Sequence, residues 1–136
     1  MDYQKLMEFR NGKNPFGQKL GITVEEIGAG CARVKKTVGP DDLNPVGVPH
    51  GGCYFSVADT ACGAAMASHG FQAVTLSSSY EFLRSASIGD TIIGEAREIK
   101  SGGTISVYGV RLTDQSGVLL GTGTFTFYNL KKPLEF

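Results

Sequence analysis

Residues 44–60 read Asn-Pro-Val-Gly-Val-Pro-His-Gly-Gly-Cys-Tyr-Phe-Ser-Val-Ala-Asp-Thr. A turn-rich loop (Asn44, Pro45, Gly47, Pro49) passes through His50-Gly51-Gly52 into an apolar run that reaches Ser68. Within Gly51 to Ser68 the one charged side chain is Asp59. Small and apolar residues fall on every face of a helix drawn through that run, and a helix apolar all round is a buried helix. A lone carboxylate in such a helix is costly unless it has a partner or a use. The stretch therefore predicts a helix over 51–68 inside the core, and makes Asp59 the first residue to explain.

Working outward, residues 2–10 have a helical pattern, with Leu6, Met7 and Phe9 apolar among polar neighbours. Asn11-Gly12, Asn14-Pro15 and Gly17 are read as its end. Lys19–Ile27 and Cys31–Val38 are strand-like and joined by a hairpin turn at Gly28-Ala29-Gly30. Beyond the helix, stopped by His69-Gly70, four strands are expected over 73–83, 91–100, 104–113 and 118–128. Turn signals every 10 to 15 residues predict that they form one antiparallel meander. The tail 131–136 shows no usable pattern. One helix is buried on all sides only if a long, twisted sheet of five or six strands curls around it. The pairs Gly94/Ala96 and Gly121/Gly123 are expected to let that sheet approach the helix. A sheet so used leaves an edge uncovered, which favours pairing of subunits.

Composition bounds the function. At 136 residues, with 41% hydrophobic and 19% charged content, the chain is expected to be one soluble α+β domain. A formal charge of zero and a pI near 6.7 argue against a nucleic-acid binder. The three cysteines have none of the paired spacings of a zinc site and fit thiols kept reduced, so no metal and a cytoplasmic location are expected. Asp59, the leading glycines and the many alanines and serines argue against membrane insertion of the apolar run.

The ordered set Asn44, Gly47, His50-Gly51-Gly52, Phe55, Ala58-Asp59, followed by Thr75, Phe82-Leu83-Arg84 and Asp114-x-x-Gly117, resembles the hotdog-fold acyl-CoA thioesterases, and most closely their PaaI-like branch. The resemblance covers about residues 18–128 and implies a long central helix wrapped by a curved antiparallel sheet. It implies an acyl-CoA substrate, with CoA as part of the substrate and no separate cofactor, and a homodimer or homotetramer with active sites at the dimer interface. Ser85 stands where many relatives carry proline, and the acid is Asp rather than the Glu of the hydroxybenzoyl-CoA branch.

The residues themselves support such chemistry. Unpaired N–H groups at the start of the 51–68 helix lie at the positive end of its dipole, and Gly51 lets a thioester come close. The resemblance makes the Gly51 N–H the oxyanion donor and Asp59 the nucleophile or general base. Eight residues separate them, just over two turns, and the two are expected near one face of the helix. The structural alternative for Asp59 is a carboxylate bonded to Thr60, a loop amide or a partner subunit.

Asn44 is either a ligand of the water or thioester oxygen, as in relatives, or a turn residue before Pro45. His50 has no carboxylate pattern to complete a triad and is expected to fix the helix start, with a secondary role at the site. Thr75 matches a hydroxyl that assists the water across the interface in relatives; strand packing is its alternative. Cys53 is read as core. For the CoA phosphates, Arg84, Arg97 and Lys100 lie near strand ends, and the Lys100-Ser101-Gly102-Gly103 turn offers N–H groups. Tyr54, Met66 and Phe82 are candidates for the acyl pocket, with core packing the plainer reading. Two competing functions remain: a hotdog hydratase or dehydratase, whose His-Phe-Pro-Gly type loop is absent, and a non-catalytic acyl-CoA-binding or regulatory module, which would not need Asp59.

Overall fold

In a computed structural model covering residues 1–136, two short helices, α1 (Tyr3–Gly12) and α2 (Pro15–Leu20), precede β1 (Thr23–Gly28) and β2 (Cys31–Thr37). A 3₁₀ turn at Pro40–Asp42 leads through the loop to α3 (Gly51–Ala67). Then come β3 (Phe71–Phe82), β4 (Thr91–Lys100), β5 (Ile105–Thr113) and β6 (Leu119–Pro133). The six antiparallel strands follow the order β1-β2-β4-β5-β6-β3 and curve around α3. This is the hotdog arrangement. No helix is long and apolar enough to cross a membrane.

Three expectations need correction. The meander holds only for β4-β5-β6, because β3 crosses to the far edge and pairs with β6, leaving β2 to pair with β4. Turn spacing reports where strands end, not which strand each one meets. Asn14-Pro15 opens a helix instead of closing one: the Asn14 side chain accepts from the Gly17 N–H at 3.1 Å, and proline sits where its missing N–H costs nothing. The 131–133 segment extends β6, and Leu134 and Phe136 pack on the core.

The apolar face of α3 is buried as expected, with Val57, Ala58, Ala61, Cys62, Ala64 and Ala65 all inaccessible to solvent. Gly94 makes the close approach possible. A Cβ there would lie 3.0 Å from Val57 Cγ1 and 3.5 Å from Ala61 Cβ. Gly121 and Gly123 do something else, since a Cβ at either would strike Tyr80 and the backbone of β3, not the helix. Gly94→Ala is therefore expected to lower stability by about 1–3 kcal/mol through overpacking, read as a reduced urea midpoint.

The buried-helix reading needs correction at its far face. Gly52, Phe55, Ser56, Asp59, Thr60 and Gly63, at helical spacing, form a partly open stripe rather than a buried face. The polar members of that stripe, Ser56, Asp59 and Thr60, recur at helical spacing, and the mean apolarity of the run hides them.

The two sheet edges are treated differently. At β1 the Asn11 side chain accepts from the Val24 N–H at 2.9 Å and donates to the Val24 carbonyl at 3.0 Å, satisfying that residue as a neighbouring strand would. β3 has no such cover. Ten of its twelve residues are exposed, including Val74 and Leu76.

Candidate active site

The loop before α3 is built on Asn44. Its Oδ1 accepts from the Val46 and Val48 N–H groups at 3.1 and 3.2 Å, and its backbone N–H donates to the Val48 carbonyl at 2.8 Å. The turn reading of Asn44 is thus correct for its oxygen. The Nδ2 amide is not used by the loop and remains a donor.

His50 is the N-cap of α3, with Nδ1 accepting from the Gly52 N–H at 2.8 Å. With Nδ1 used as an acceptor, Nε2 is the ring nitrogen left to donate. The Cys53 N–H turns back to the His50 carbonyl at 2.9 Å. Gly51 is left with an N–H that has no intramolecular acceptor, at the positive end of a 17-residue helix. Phe82, Leu83, Arg84, Val48 and Tyr54 surround it in a shallow depression of about 300 Å³.

Sequence reading missed what anchors this loop. Lys36 is 4% exposed, pairs with Asp42 at 3.0 Å and also donates to the Leu20 carbonyl. Asp42 in turn accepts from the Gly39 N–H at 2.7 Å, while its carbonyl accepts from the His50 N–H at 2.8 Å. Buried Lys36 therefore pins the residue from which Asn44, His50 and Gly51 are hung. Removing one partner of a buried pair strands the other charge. Lys36→Met is expected to cost about 3–5 kcal/mol of stability, measured by urea denaturation. The only sequence signal for this lysine is an alternation that points it inward on β2.

Asp59 lies on the open stripe of α3, and the Thr75 hydroxyl donates to its Oδ1 at 2.6 Å. The two line a wide cavity of about 760 Å³ between α3, β3 and the N-terminal helices. Phe9, Phe16, Phe55, Phe71 and Phe127 supply its apolar wall. Arg10, missed in the sequence because it reads as a surface helix residue, also faces this cavity. Burial pushes its pKa down, opposed by the charge of Asp59.

Gly51 and Asp59 do not share a depression in one protomer. Eight residues of helix are a rise of about 12 Å and a net rotation of about 80°, so the expectation of a common face fails. An oxyanion donor and an attacking group must each come within roughly 3 Å of the same carbonyl. These two cannot do so from one helix.

The two buried thiols are unsuited to attack. Cys53 is buried and its pKa is pushed up to about 11 by desolvation, and burial raises Cys62 further. Tyr54 is core, its hydroxyl accepting from the Ala86 N–H at 2.9 Å, and Met66 is buried, whereas Phe82 is exposed beside Gly51. Of the residues assigned to CoA, Arg84 flanks Gly51. Ser101, Gly102 and Gly103 lie elsewhere, in a pocket with His69 and Lys131 whose lining does not include Lys100. There the Gly102 N–H is already given to Ser106 Oγ at 3.2 Å.

Against known proteins, the thioesterase superfamily profile matches residues 46–120. The acyl-coenzyme A thioesterase PaaI of Escherichia coli K12 is 36% identical over 96 residues, 71% of this chain and 69% of that protein. The structure of the E. coli PaaI protein superposes with a TM-score of 0.92 at 26% identity, covering 97% of this chain and 96% of that one. A Streptococcus mutans protein bound to acetyl-CoA gives 0.79 at 33% identity over 83% and 91% of the two chains. A hypothetical thioesterase of Streptococcus pneumoniae, solved with coenzyme A, gives 0.79 at 28% identity over 83% and 88%. It has also been solved with alanine replacing an aspartate and, separately, a threonine 16 positions further on, the interval between Asp59 and Thr75. Loop, helix and strand order agree with these comparisons: the chain belongs to the thioesterase superfamily, in its hotdog-fold PaaI-like branch, and is a thioester hydrolase.

Proposed function

We propose that this chain hydrolyses acyl-CoA thioesters as a homodimer, or a pair of such dimers, with Gly51 of one subunit and Asp59 of the other acting on the same carbonyl. The observation that carries the reading is the Asp59 carboxylate, held at 2.6 Å by Thr75 on the open stripe of α3. Further support comes from the uncovered β3 edge, where a second copy of the strand would continue the sheet and bring the two α3 stripes together. The relatives solved with acetyl-CoA and coenzyme A support a CoA thioester as substrate.

In this mechanism the Gly51 N–H donates to the carbonyl oxygen as it becomes an oxyanion, and the Asn44 Nδ2 amide or His50 Nε2–H holds the water or that oxygen. Asp59 removes a proton from the water, whose oxygen bonds to the carbonyl carbon; direct attack by the carboxylate followed by hydrolysis gives the same products. The C–S bond breaks, and the CoA sulfur leaves and is protonated. Thr75 orients the carboxylate through its single hydrogen bond. Arg84, beside Gly51, is the charged residue expected to meet the CoA part of the substrate near the thioester. The Lys100–Gly103 turn would take part only from another subunit. No metal or prosthetic group is needed, and three free thiols fit a reducing, cytoplasmic compartment.

The test is thiol release from a panel of acyl-CoA esters, with sedimentation to fix the assembly. Turnover of at least one ester by a dimer or tetramer is the expected result; tight binding of acyl-CoA without any turnover would instead favour a sensor module, and a fully active monomer would remove the shared site.

A further inference from the structure

We infer that Arg10 is a specificity-determining residue that recognises an anionic oxygen at the far end of the acyl group, so that the preferred substrates are ω-carboxyacyl thioesters. This rests on the hydrolase reading above and extends it from the reacting carbonyl to the other end of the substrate.

The cavity that holds Asp59 carries two cations, Arg10 and Lys13, against that one anion. Neither cation enters any ion pair of the molecule. The Nε of Arg10 is fully buried and has no hydrogen-bond partner. Desolvating a guanidinium without an acceptor is expensive, and removing such a group from water is normally repaid by a carboxylate in fork-to-fork contact. Within this chain only the charge of Asp59 opposes that cost, with no hydrogen bond to the guanidinium, and the remaining positive charge of the pair Arg10 and Lys13 faces the cavity, where one added carboxylate would neutralise it.

The position along α3 sets the reach. A Cβ at Gly63 would lie 3.2 Å from the Arg10 Nη2, which places the guanidinium directly against position 63 of α3. Gly63 is four residues beyond Asp59 on the same face, a step of about 6 Å along the helix. With the thioester carbon at Asp59, a chain lying along the stripe brings its fourth or fifth carbon to Arg10. Phe55, Phe127 and the other aromatic side chains line the path for the methylenes between.

The experiment compares kcat/KM for glutaryl-CoA and pentanoyl-CoA, which share a chain length and differ in the terminal carboxylate. Wild type is expected to favour glutaryl-CoA by about 10–100-fold, the range of one or two charge-assisted hydrogen bonds. In Arg10→Met that ratio falls to about unity or below, and Arg10→Lys, which keeps the charge without the fork, retains an intermediate ratio. The wild-type ratio needs no variant, so the test does not depend on Arg10→Met folding. Calorimetric binding of glutaryl-CoA to Asp59→Asn, with and without Arg10→Met, is expected to show the same weakening without turnover.

Equal rates on the two esters in wild type overturn the inference while leaving the hydrolase intact. So does an Arg10→Met loss equal for both esters, which would make Arg10 a positioning residue for Asp59, or a loss of dimer alone, which would assign its partner to the second subunit. Thiol release from no ester at all removes the hydrolase reading, and this inference with it.

Discussion

Asp59→Asn is expected to lower kcat by about 10²–10⁴-fold, the range of a positioned general base, while acyl-CoA still binds. The substitution keeps the shape of the side chain and an oxygen that accepts from Thr75 at the present 2.6 Å. It removes the lone pair and charge that take a proton from water or attack directly. Because Asp59 lies on the partly open stripe and not in the core, the urea midpoint is expected to move little. Thiol release under saturating substrate, together with calorimetric binding, separates the two effects. An unchanged kcat would sink the assignment whatever the fold.

Gly51→Pro is expected to cost about 10²–10³-fold in kcat, the worth of one oxyanion donor, with the helix intact. Position 51 is the first residue of α3, where proline is tolerated and its missing N–H removes no intrahelical bond. His50, at φ −60° and ψ 143°, already has the extended backbone required before proline. A Cβ at 51 meets only the Phe82 ring at 3.5 Å, an ordinary contact. Gly51→Ala keeps the N–H and serves as the steric control; equal losses in the two would assign the effect to crowding instead.

Mixing the two inactive proteins tests the shared site. Each hybrid dimer has one site that takes Gly51 from the Asp59→Asn subunit and Asp59 from the Gly51→Pro subunit. Full subunit exchange is then expected to restore about a quarter of the wild-type rate. No recovery after demonstrated exchange would place both residues in a single-chain site, against the 12 Å helical rise that argues otherwise.

The sequence by itself determined most of the elements and the burial of the central helix against a wrapping antiparallel sheet. The hotdog arrangement came from the resemblance carried by His50-Gly51-Gly52 and Asp59, and the place of β3 in the sheet was not legible in it. It also determined local roles that depend on near neighbours: His50 capping the helix, Gly94 admitting it, and Cys53 belonging to the core.

What depends on partners distant in the chain was decided only by the tertiary structure. The pairing of β3 with β6, the burial of Lys36 against Asp42, the bond from Thr75 to Asp59 and the entry of Arg10 into the cavity each join residues that no local pattern links. The separation of Gly51 from Asp59 belongs with them. Their spacing already implies the rise and rotation of the helix between them, but that each lines a different depression is seen only in the folded chain. Physical reach, not residue identity, is what keeps Gly51 and Asp59 apart in this chain.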